Sequence, residues 1–170
     1  MESFSWITDA IAQGSYPGLK GTAFQHASVL VLCAEEHQAK GLKAPPGKTI
    51  IRLGFDDDIY RPVPPEAGKI FHAHAQQLAK AVMSGHKLMI TCAMGLNRSG
   101  LITALTLMHG YKMRPSEAIK LIRKLGGLMK TLNQSRQFGD YLAELRVQFK
   151  PKRNFIKLLD DVVRSTANVK

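Results

Sequence analysis

Short apolar runs recur along the first half of the chain and predict buried β-strands. They cover residues 28–33, 49–53 and 87–91 and consist largely of Val, Ile, Leu and Met. Strands that are apolar at nearly every position are typical of a parallel sheet, because helices cover both of its faces. We therefore expect these three segments to be strands buried in a sheet.

A long helical pattern connects the second and third of these strands. Between residues 65 and 83, side chains suited to one helix face return every three or four positions, at Ile70, Phe71, His74, Leu78, Ala81 and Val82. Strand, helix and strand within some forty residues form the βαβ pattern of two parallel strands. The pattern predicts an α/β fold with a central, mostly parallel sheet flanked by helices.

Further helices are predicted in the second half of the chain. The segment after Ser99 is apolar on nearly all sides, which indicates a helix in the middle of the core that ends at Gly110. Pro115 and Glu117 favour the start of the next helix, which Gly126-Gly127 should stop. Two more helices are expected at about residues 135–149 and 154–166, and loops at residues 41–47 and 60–65.

Length and composition indicate one ordinary globular domain. The chain has 170 residues, of which 45% are hydrophobic and 22% charged. We expect residues 1–150 to form the domain and residues 151–170 a basic, amphipathic helix packed on it. No apolar run is long enough to cross a bilayer and no secretory signal is visible, so a cytoplasmic location with no transmembrane segment is expected.

The positive charge is concentrated in one segment. The net charge is +11, and residues 112–153 alone carry 11 Lys or Arg against 3 Asp or Glu. Such a segment attracts polyanions, including nucleic acid, an anionic membrane surface or an acidic phosphoprotein. A solvated helix face that keeps the protein soluble explains the same charge equally well.

The segment from Cys92 to Gly100 joins a buried strand to a helix and predicts an anion site. Amide N–H groups at a helix N-terminus lack intrahelical partners, and the peptide dipoles place partial positive charge there. That environment favours the ionised, nucleophilic form of the Cys92 thiol. Arg98 can present a planar fork to two phosphate oxygens, and Ser99 can donate a hydrogen bond to the sulfur. The alternative is a buried thiol with no chemical role.

The Cys-x5-Arg-Ser spacing of this loop resembles the signature of the cysteine-based protein tyrosine phosphatases, in the small dual-specificity branch. The resemblance covers about residues 4–148 and implies a phosphotyrosine-phosphatase-like fold. It implies hydrolysis of phosphotyrosine, extending to phosphoserine and phosphothreonine, through a phosphocysteine intermediate and without cofactor or metal. Cys92, Arg98 and Ser99 would be catalytic. The loop residues between Cys92 and Arg98 would bind the substrate: Ala93, Met94, Gly95, Leu96 and Asn97.

An acidic run upstream supplies candidates for the general acid. Asp56, Asp57 and Asp58 precede a Pro-rich loop, as in the phosphatases of regenerating liver and in phosphatase and tensin homologue. The resemblance assigns the acid to Asp57. Three adjacent carboxylates repel one another, so one of them can retain a proton for the leaving group. Asp58 and then Asp56 are the alternatives for the general acid. If the run has no catalytic role, it is an exposed acidic turn.

Cys33 lies in a stretch, Leu-Cys-Ala-Glu-Glu-His, that also resembles phosphatase and tensin homologue. In that protein the corresponding cysteine forms a reversible disulfide with the nucleophile. The resemblance makes Cys33 a redox partner of Cys92, while a small buried hydrophobic residue is the plain alternative. Two cysteines this far apart in sequence predict no zinc site, and the six histidines show no ligand spacing.

Two departures from the phosphatase pattern leave other functions open. Thr91 stands where the family has His before its Cys. The stretch Gly-Leu-Asn-Arg-Ser-Gly resembles the loop of the RNA 5′-phosphatases of capping enzymes, which suits the basic segment and makes an RNA 5′-tri- or diphosphatase the second reading. A phosphate-binding module without catalysis is the third.

Overall fold

Five strands form one sheet in the computed structural model, which describes residues 4–55, 65–95 and 97–125 of the chain. In chain order they are β1 (Phe4–Trp6), β2 (Ile11–Ser15), β3 (Val29–Ala34), β4 (Thr49–Phe55) and β5 (Leu88–Cys92). The spatial order is β1-β2-β5-β3-β4. Only the β1–β2 pairing is antiparallel, and the other three pairings are parallel. The expected mostly parallel sheet is confirmed. The prediction that all three apolar runs are buried is wrong for β4, which is partly exposed because it lies at the edge of the sheet.

Helices cover both faces of the sheet. They are α1 (Thr22–His26), α2 (Pro65–Met83), α3 (Asn97–Tyr111) and α4 (Pro115–Leu125), with a 3₁₀ turn at Glu35–His37. Alternate residues of β3 point to opposite faces, as the strand period requires. Val31 and Cys33 join the core under α2, α3 and α4, while Leu30 and Leu32 join the smaller core that includes α1.

Within the described residues, the predicted helices lie where the structure has them, but one of them ends at a different residue. The bounds of α2 match the prediction, and α3 is buried on nearly all sides, as expected. The prediction that Gly110 ends α3 is wrong: the helix continues to Tyr111, and Lys112, with φ +56°, takes the left-handed position after it. Strands β1 and β2 and helix α1 were not predicted.

Several sequence predictions lie outside the described residues. These are the helices at 135–149 and 154–166, the stop at Gly126-Gly127, and the 60–64 part of the second predicted loop. Within the described part, no helix is both long and apolar enough to span a membrane.

Helix α4 begins with the polar contacts that its sequence predicts. Pro115 is its first residue, and the Glu117 carboxylate accepts a hydrogen bond of 2.8 Å from the backbone N–H of Arg114. A carboxylate that reaches back in this way satisfies an amide that the helix leaves without a partner. Ala118 and Ile122 on the opposite face of α4 are buried in the core under the sheet.

Two histidines meet in the packed interface between α2 and α3. His72 and His109 are 8% and 7% exposed, and Nε2 of His109 lies 3.5 Å from Nδ1 of His72. Burial, and next the nearby His109, lower the pKa of His72 from 6.5 to about 4. Burial and Lys112 lower the pKa of His109. Both rings are therefore packed in their neutral form at neutral pH.

This pair predicts a loss of stability in mild acid. Between pH 6.5 and 4 the unfolded chain binds a proton at His72 that the folded chain resists, so the free energy of unfolding falls as the pH falls. From about pH 7.5 to about pH 5, this residue should account for a loss of about 2 kcal/mol. Urea unfolding at both pH values should show a smaller loss for His72→Gln than for the wild type.

The matched control is His74→Gln, on the same helix and half-buried. It should keep the wild-type dependence on pH. Equal pH dependence in the His72→Gln variant and the wild type would show that the buried pair does not control acid stability.

Candidate active site

The carboxyl ends of four neighbouring strands meet around Cys92. Cys92 is the last residue of β5 and is 2% exposed, and its Sγ lies 3.3 Å from the Oγ of Ser99 in the first turn of α3. The edge beyond the carboxyl ends of parallel strands is where ligands of open α/β sheets bind. The structure thus brings together two of the predicted catalytic side chains, the thiol and the hydroxyl.

The loop after Cys92 rests on the end of β2. Gly95 has φ +73°, and a Cβ added there would lie 2.3 Å from the carbonyl carbon of Gly14. The buried side chain of Gln13 donates a hydrogen bond of 3.0 Å to the Gly95 carbonyl, and the Tyr16 amide donates one of 3.1 Å to the Cys92 carbonyl. Only glycine fits this backbone position without displacing β2.

Arg98 is held by a carboxylate that the sequence reading did not assign to the site. Its two terminal nitrogens donate hydrogen bonds of 2.8 and 2.7 Å to the two carboxylate oxygens of Glu36, in the turn after β3. Arg98 also donates a bond of 3.4 Å to the carbonyl of Phe55, the last residue of β4. The guanidinium is 7% exposed, so these acceptors compensate a buried positive charge.

The ion pair determines the protonation of Glu36. The hydrogen bond from Arg98 is the main cause that lowers the pKa of Glu36 to about 2. Glu36 is therefore ionised throughout the neutral range and is no candidate for the general acid. The sequence could have indicated Glu36 by its position shortly after β3, the buried strand next to β5. Polar residues that follow the carboxyl ends of parallel strands face the ligand site.

Cys33 lies beside Cys92 on the adjacent strand. Leu32 pairs with Thr91 in the parallel register of β3 and β5, and Cys33 and Cys92 are the next residues along each strand. Both belong to the same core and both are free thiols. Burial, and then the neighbouring Cys92, raise the pKa of the Cys33 thiol well above its usual value, while Arg98 lowers it.

Thr91 has a structural role in place of the histidine expected from the family. Its side chain is fully buried, and its hydroxyl donates a hydrogen bond of 2.9 Å to the Val31 carbonyl of β3. This bond fixes β5 to β3 one residue before Cys92. The hydroxyl thus supports the loop through the backbone of the neighbouring strand.

The remaining predicted site residues are described in part. Ala93 is half-buried and Met94 is 57% exposed at the rim of the loop. Leu96 and the side chain of Asn97 lie outside the described residues, as do the three candidate acids Asp56, Asp57 and Asp58. Among the residues that the structure describes, no three His, Cys, Asp or Glu side chains form a group that could hold a metal.

The same architecture occurs in solved structures, one of them described as a dual-specificity phosphatase. No protein-family model and no curated protein matches the chain. PTPMT1 aligns over 96% of this chain and 98% of its own, with 17% identity and a TM-score of 0.63. A mouse protein described as a dual-specificity phosphatase, complexed with zinc tungstate, aligns over 89% and 94%, with 19% identity and a TM-score of 0.62. The chain has the fold of the dual-specificity phosphatases.

A third structure, human DUSP28, supports the same conclusion. It aligns over 84% of this chain and 95% of its own, with 17% identity and a TM-score of 0.60. The predicted phosphatase-like α/β fold is confirmed. At these identities the likeness concerns the fold, and the chemistry has to be argued from the residues of this chain.

The contact between Gly95 and β2 predicts a specific effect of one methyl group. Gly95→Ala places a Cβ 2.3 Å from the backbone of β2, so the loop must move. We expect binding of inorganic phosphate, measured as protection of Cys92 from alkylation by iodoacetamide, to weaken by about 100-fold or more.

Gly85→Ala is the matched control. Gly85 also has a left-handed backbone, with φ +88°, but nothing lies within 4 Å of its Cβ position, and it precedes the opposite end of β5. Both variants bear a backbone cost of roughly 1–2 kcal/mol. Equal phosphate protection in both variants would show that the contact with β2 does not shape the loop.

Proposed function

We propose that this protein is a metal-independent phosphomonoesterase that hydrolyses phosphotyrosine, and also phosphoserine and phosphothreonine, through a phosphocysteine at Cys92. The observation that carries the proposal is the arrangement of one loop. The Cys92 sulfur lies 3.3 Å from the Ser99 hydroxyl, and Arg98 of the same loop is held by the Glu36 carboxylate. A nucleophile, a group to support it and a cation for the phosphoryl oxygens are thus supplied within eight residues.

In the first step the Cys92 thiolate attacks phosphorus in line with the ester oxygen. The sulfur–phosphorus bond forms as the bond to the leaving oxygen breaks. Arg98 and the amides of residues 93–99 bind the equatorial oxygens, where negative charge is spread in the transition state. The leaving alkoxide or phenoxide needs a proton, which Asp57 donates.

In the second step water attacks the phosphocysteine. Asp57, now a carboxylate, accepts a proton from that water, inorganic phosphate forms, and the sulfur departs as a thiolate. A hydrogen bond from the Ser99 hydroxyl stabilises the departing thiolate. The 3.3 Å contact between these two atoms supports this role.

The assignment of Asp57 rests on the sequence resemblance and on one contact. Arg98 donates to the carbonyl of Phe55, which precedes Asp57 by two residues. The chain therefore leaves β4 next to the guanidinium, and the acidic run follows Phe55 in the sequence. Asp58 and Asp56 follow as alternatives in that order.

Cys33 is proposed as the redox partner of Cys92. Peroxide would convert the Cys92 thiolate to a sulfenic acid, and attack by Cys33 would form the disulfide and release water. Adjacent positions on paired strands support this proposal. The raised pKa of Cys33 implies a slow second reaction, because the thiolate is the attacking species.

Substitution of each cysteine tests the assigned roles. Cys92→Ser should reduce kcat for a phosphotyrosine peptide to below about 1% of wild type, because a serine hydroxyl is not ionised at neutral pH. Cys33→Ser is the matched control: it should keep kcat and lose the recovery of activity by thiol after peroxide treatment. Turnover by Cys92→Ser above that level would exclude the phosphocysteine mechanism.

The role of Asp57 predicts a dependence on the leaving group. In kcat/KM, which reports the first step alone, Asp57→Asn should slow alkyl and phenyl phosphates, which need a proton, by about 100-fold or more. Aryl phosphates with strongly acidic phenols should lose less than about tenfold in kcat/KM. Asp58→Asn and Asp56→Asn are the controls. Equal losses for both kinds of ester in Asp57→Asn would assign the acid to another residue.

A substrate panel separates the proposal from its alternatives. The exposed lysines of the basic segment, Lys120 and Lys124 on α4 among them, favour RNA as the second candidate substrate. Phosphotyrosine and phosphoserine peptides, a phosphoinositide and 5′-triphosphorylated RNA should be compared at one salt concentration. Turnover of the RNA alone would establish the second candidate, and binding without turnover would establish a silent module.

A further inference from the structure

A break in the pairing of β3 and β4 lies next to the site. Leu32 pairs with Arg52, and Ala34 pairs with Phe55, so Cys33 faces two residues, Leu53 and Gly54. This is a β-bulge, and Gly54 takes the left-handed backbone that it requires, with φ +49°. Bulges bend the strand that carries them, so this one sets the direction in which Phe55 leaves the sheet.

The side chain of Gln38 lies along this bulge. Its Nε2 donates hydrogen bonds of 2.9 Å to the Leu32 carbonyl and 3.1 Å to the Ala34 carbonyl. A Cβ at Gly54 would lie 3.4 Å from the Gln38 Cγ. Those two carbonyls are two residues apart and point to the same edge of β3, where the bulge disrupts the ladder. A side-chain amide has two N–H donors, one for each carbonyl.

Gln38 also ends the turn that carries Glu36. Its backbone N–H donates a hydrogen bond of 3.0 Å to the Glu35 carbonyl and so closes the 3₁₀ turn. Glu36 itself is 49% exposed, and an exposed ion pair contributes little unless its side chains are held in place. The bidentate geometry at Arg98 therefore needs a fixed turn, and the Gln38 side chain fixes that turn to β3.

The Glu36 and Phe55 acceptors of Arg98 thus lie on segments that Gln38 contacts. The Glu36 carboxylate is in the turn that Gln38 closes, and the Phe55 carbonyl follows the bulge that Gln38 packs against. We propose that Gln38 is a positioning residue that orients Arg98 for binding the phosphoryl oxygens. The inference rests on the proposed function, because Arg98 is assigned to the phosphoryl group there.

Gln38→Met tests the proposal, since methionine keeps the length of the side chain and lacks its donors. Gln38→Asn keeps the amide but is one carbon too short to reach both carbonyls. The matched control is Gln25→Met: Gln25 also donates to a backbone carbonyl, that of Lys20, from the short helix α1. All three variants and the wild type are compared by thermal unfolding, by kcat and KM, and by inhibition with inorganic phosphate.

If the Arg98 guanidinium is no longer held in one orientation, phosphate binding and turnover should both weaken. We expect Gln38→Met and Gln38→Asn to raise the inhibition constant for inorganic phosphate and to lower kcat/KM, each by about tenfold. Gln25→Met should stay within about twofold of wild type on both measures. Wild-type values in both Gln38 variants would overturn the proposal.

A double-mutant cycle distinguishes positioning from a loss of stability. If Gln38 acts through Arg98, adding Gln38→Met to Arg98→Lys should reduce kcat/KM by less than about twofold beyond Arg98→Lys alone. Full multiplication of the two losses would show that Gln38 acts elsewhere and would overturn the proposal. A wild-type protein that neither binds phosphate nor hydrolyses phosphotyrosine would instead overturn the proposed function, and this inference with it.

Discussion

The site depends on the compensation of one buried positive charge. The Arg98 guanidinium is almost fully shielded from solvent, and a charge in that position is costly without close hydrogen-bonded partners. The Glu36 carboxylate and the Phe55 carbonyl supply them, from the turn after β3 and from the end of β4. Arg98 lies in the first turn of α3, directly after the loop that follows β5, so the same contacts join three strand ends around Cys92.

The proposed phosphate chemistry depends on this compensation of the Arg98 charge and on the close packing of the loop after Cys92. Gly95 lies against the backbone of β2, and Gln13 and Tyr16 form hydrogen bonds to the loop from that strand. These contacts fix the shape of the loop without a ligand, which is the condition for the electrostatic stabilisation that the proposed mechanism requires. Thr91 adds a bond from β5 to β3 at the position where the phosphatase resemblance predicts a histidine, and this bond supports the loop.

The sequence predicted correctly those features whose pattern lies within one continuous segment of the chain. The apolar runs located β3, β4 and β5, of which β4 lies at the edge of the sheet. The helical period located α2, and the spacing of Cys92 and Arg98 located the loop. Strands β1 and β2 and helix α1 escaped prediction because they have three to five residues, too few for a period to show. The role of Glu36 was not predicted because its partner, Arg98, is 62 residues away in the sequence. The segment that contains Glu36 was interpreted only for the redox role of Cys33. The bulge at Gly54 depends on pairing between strands, which no single segment encodes.

The phosphocysteine is the central claim, and its capture tests it most directly. An aryl phosphate with a strongly acidic phenol needs no proton to depart, while Asp57→Asn removes the base for the second step, so the intermediate should accumulate in that variant. Acid quenching followed by peptide mass spectrometry is predicted to find one phosphoryl group on Cys92 and none on Cys33. Release of the phenol with no phosphoryl group on Cys92, or with one on another residue, would contradict the account.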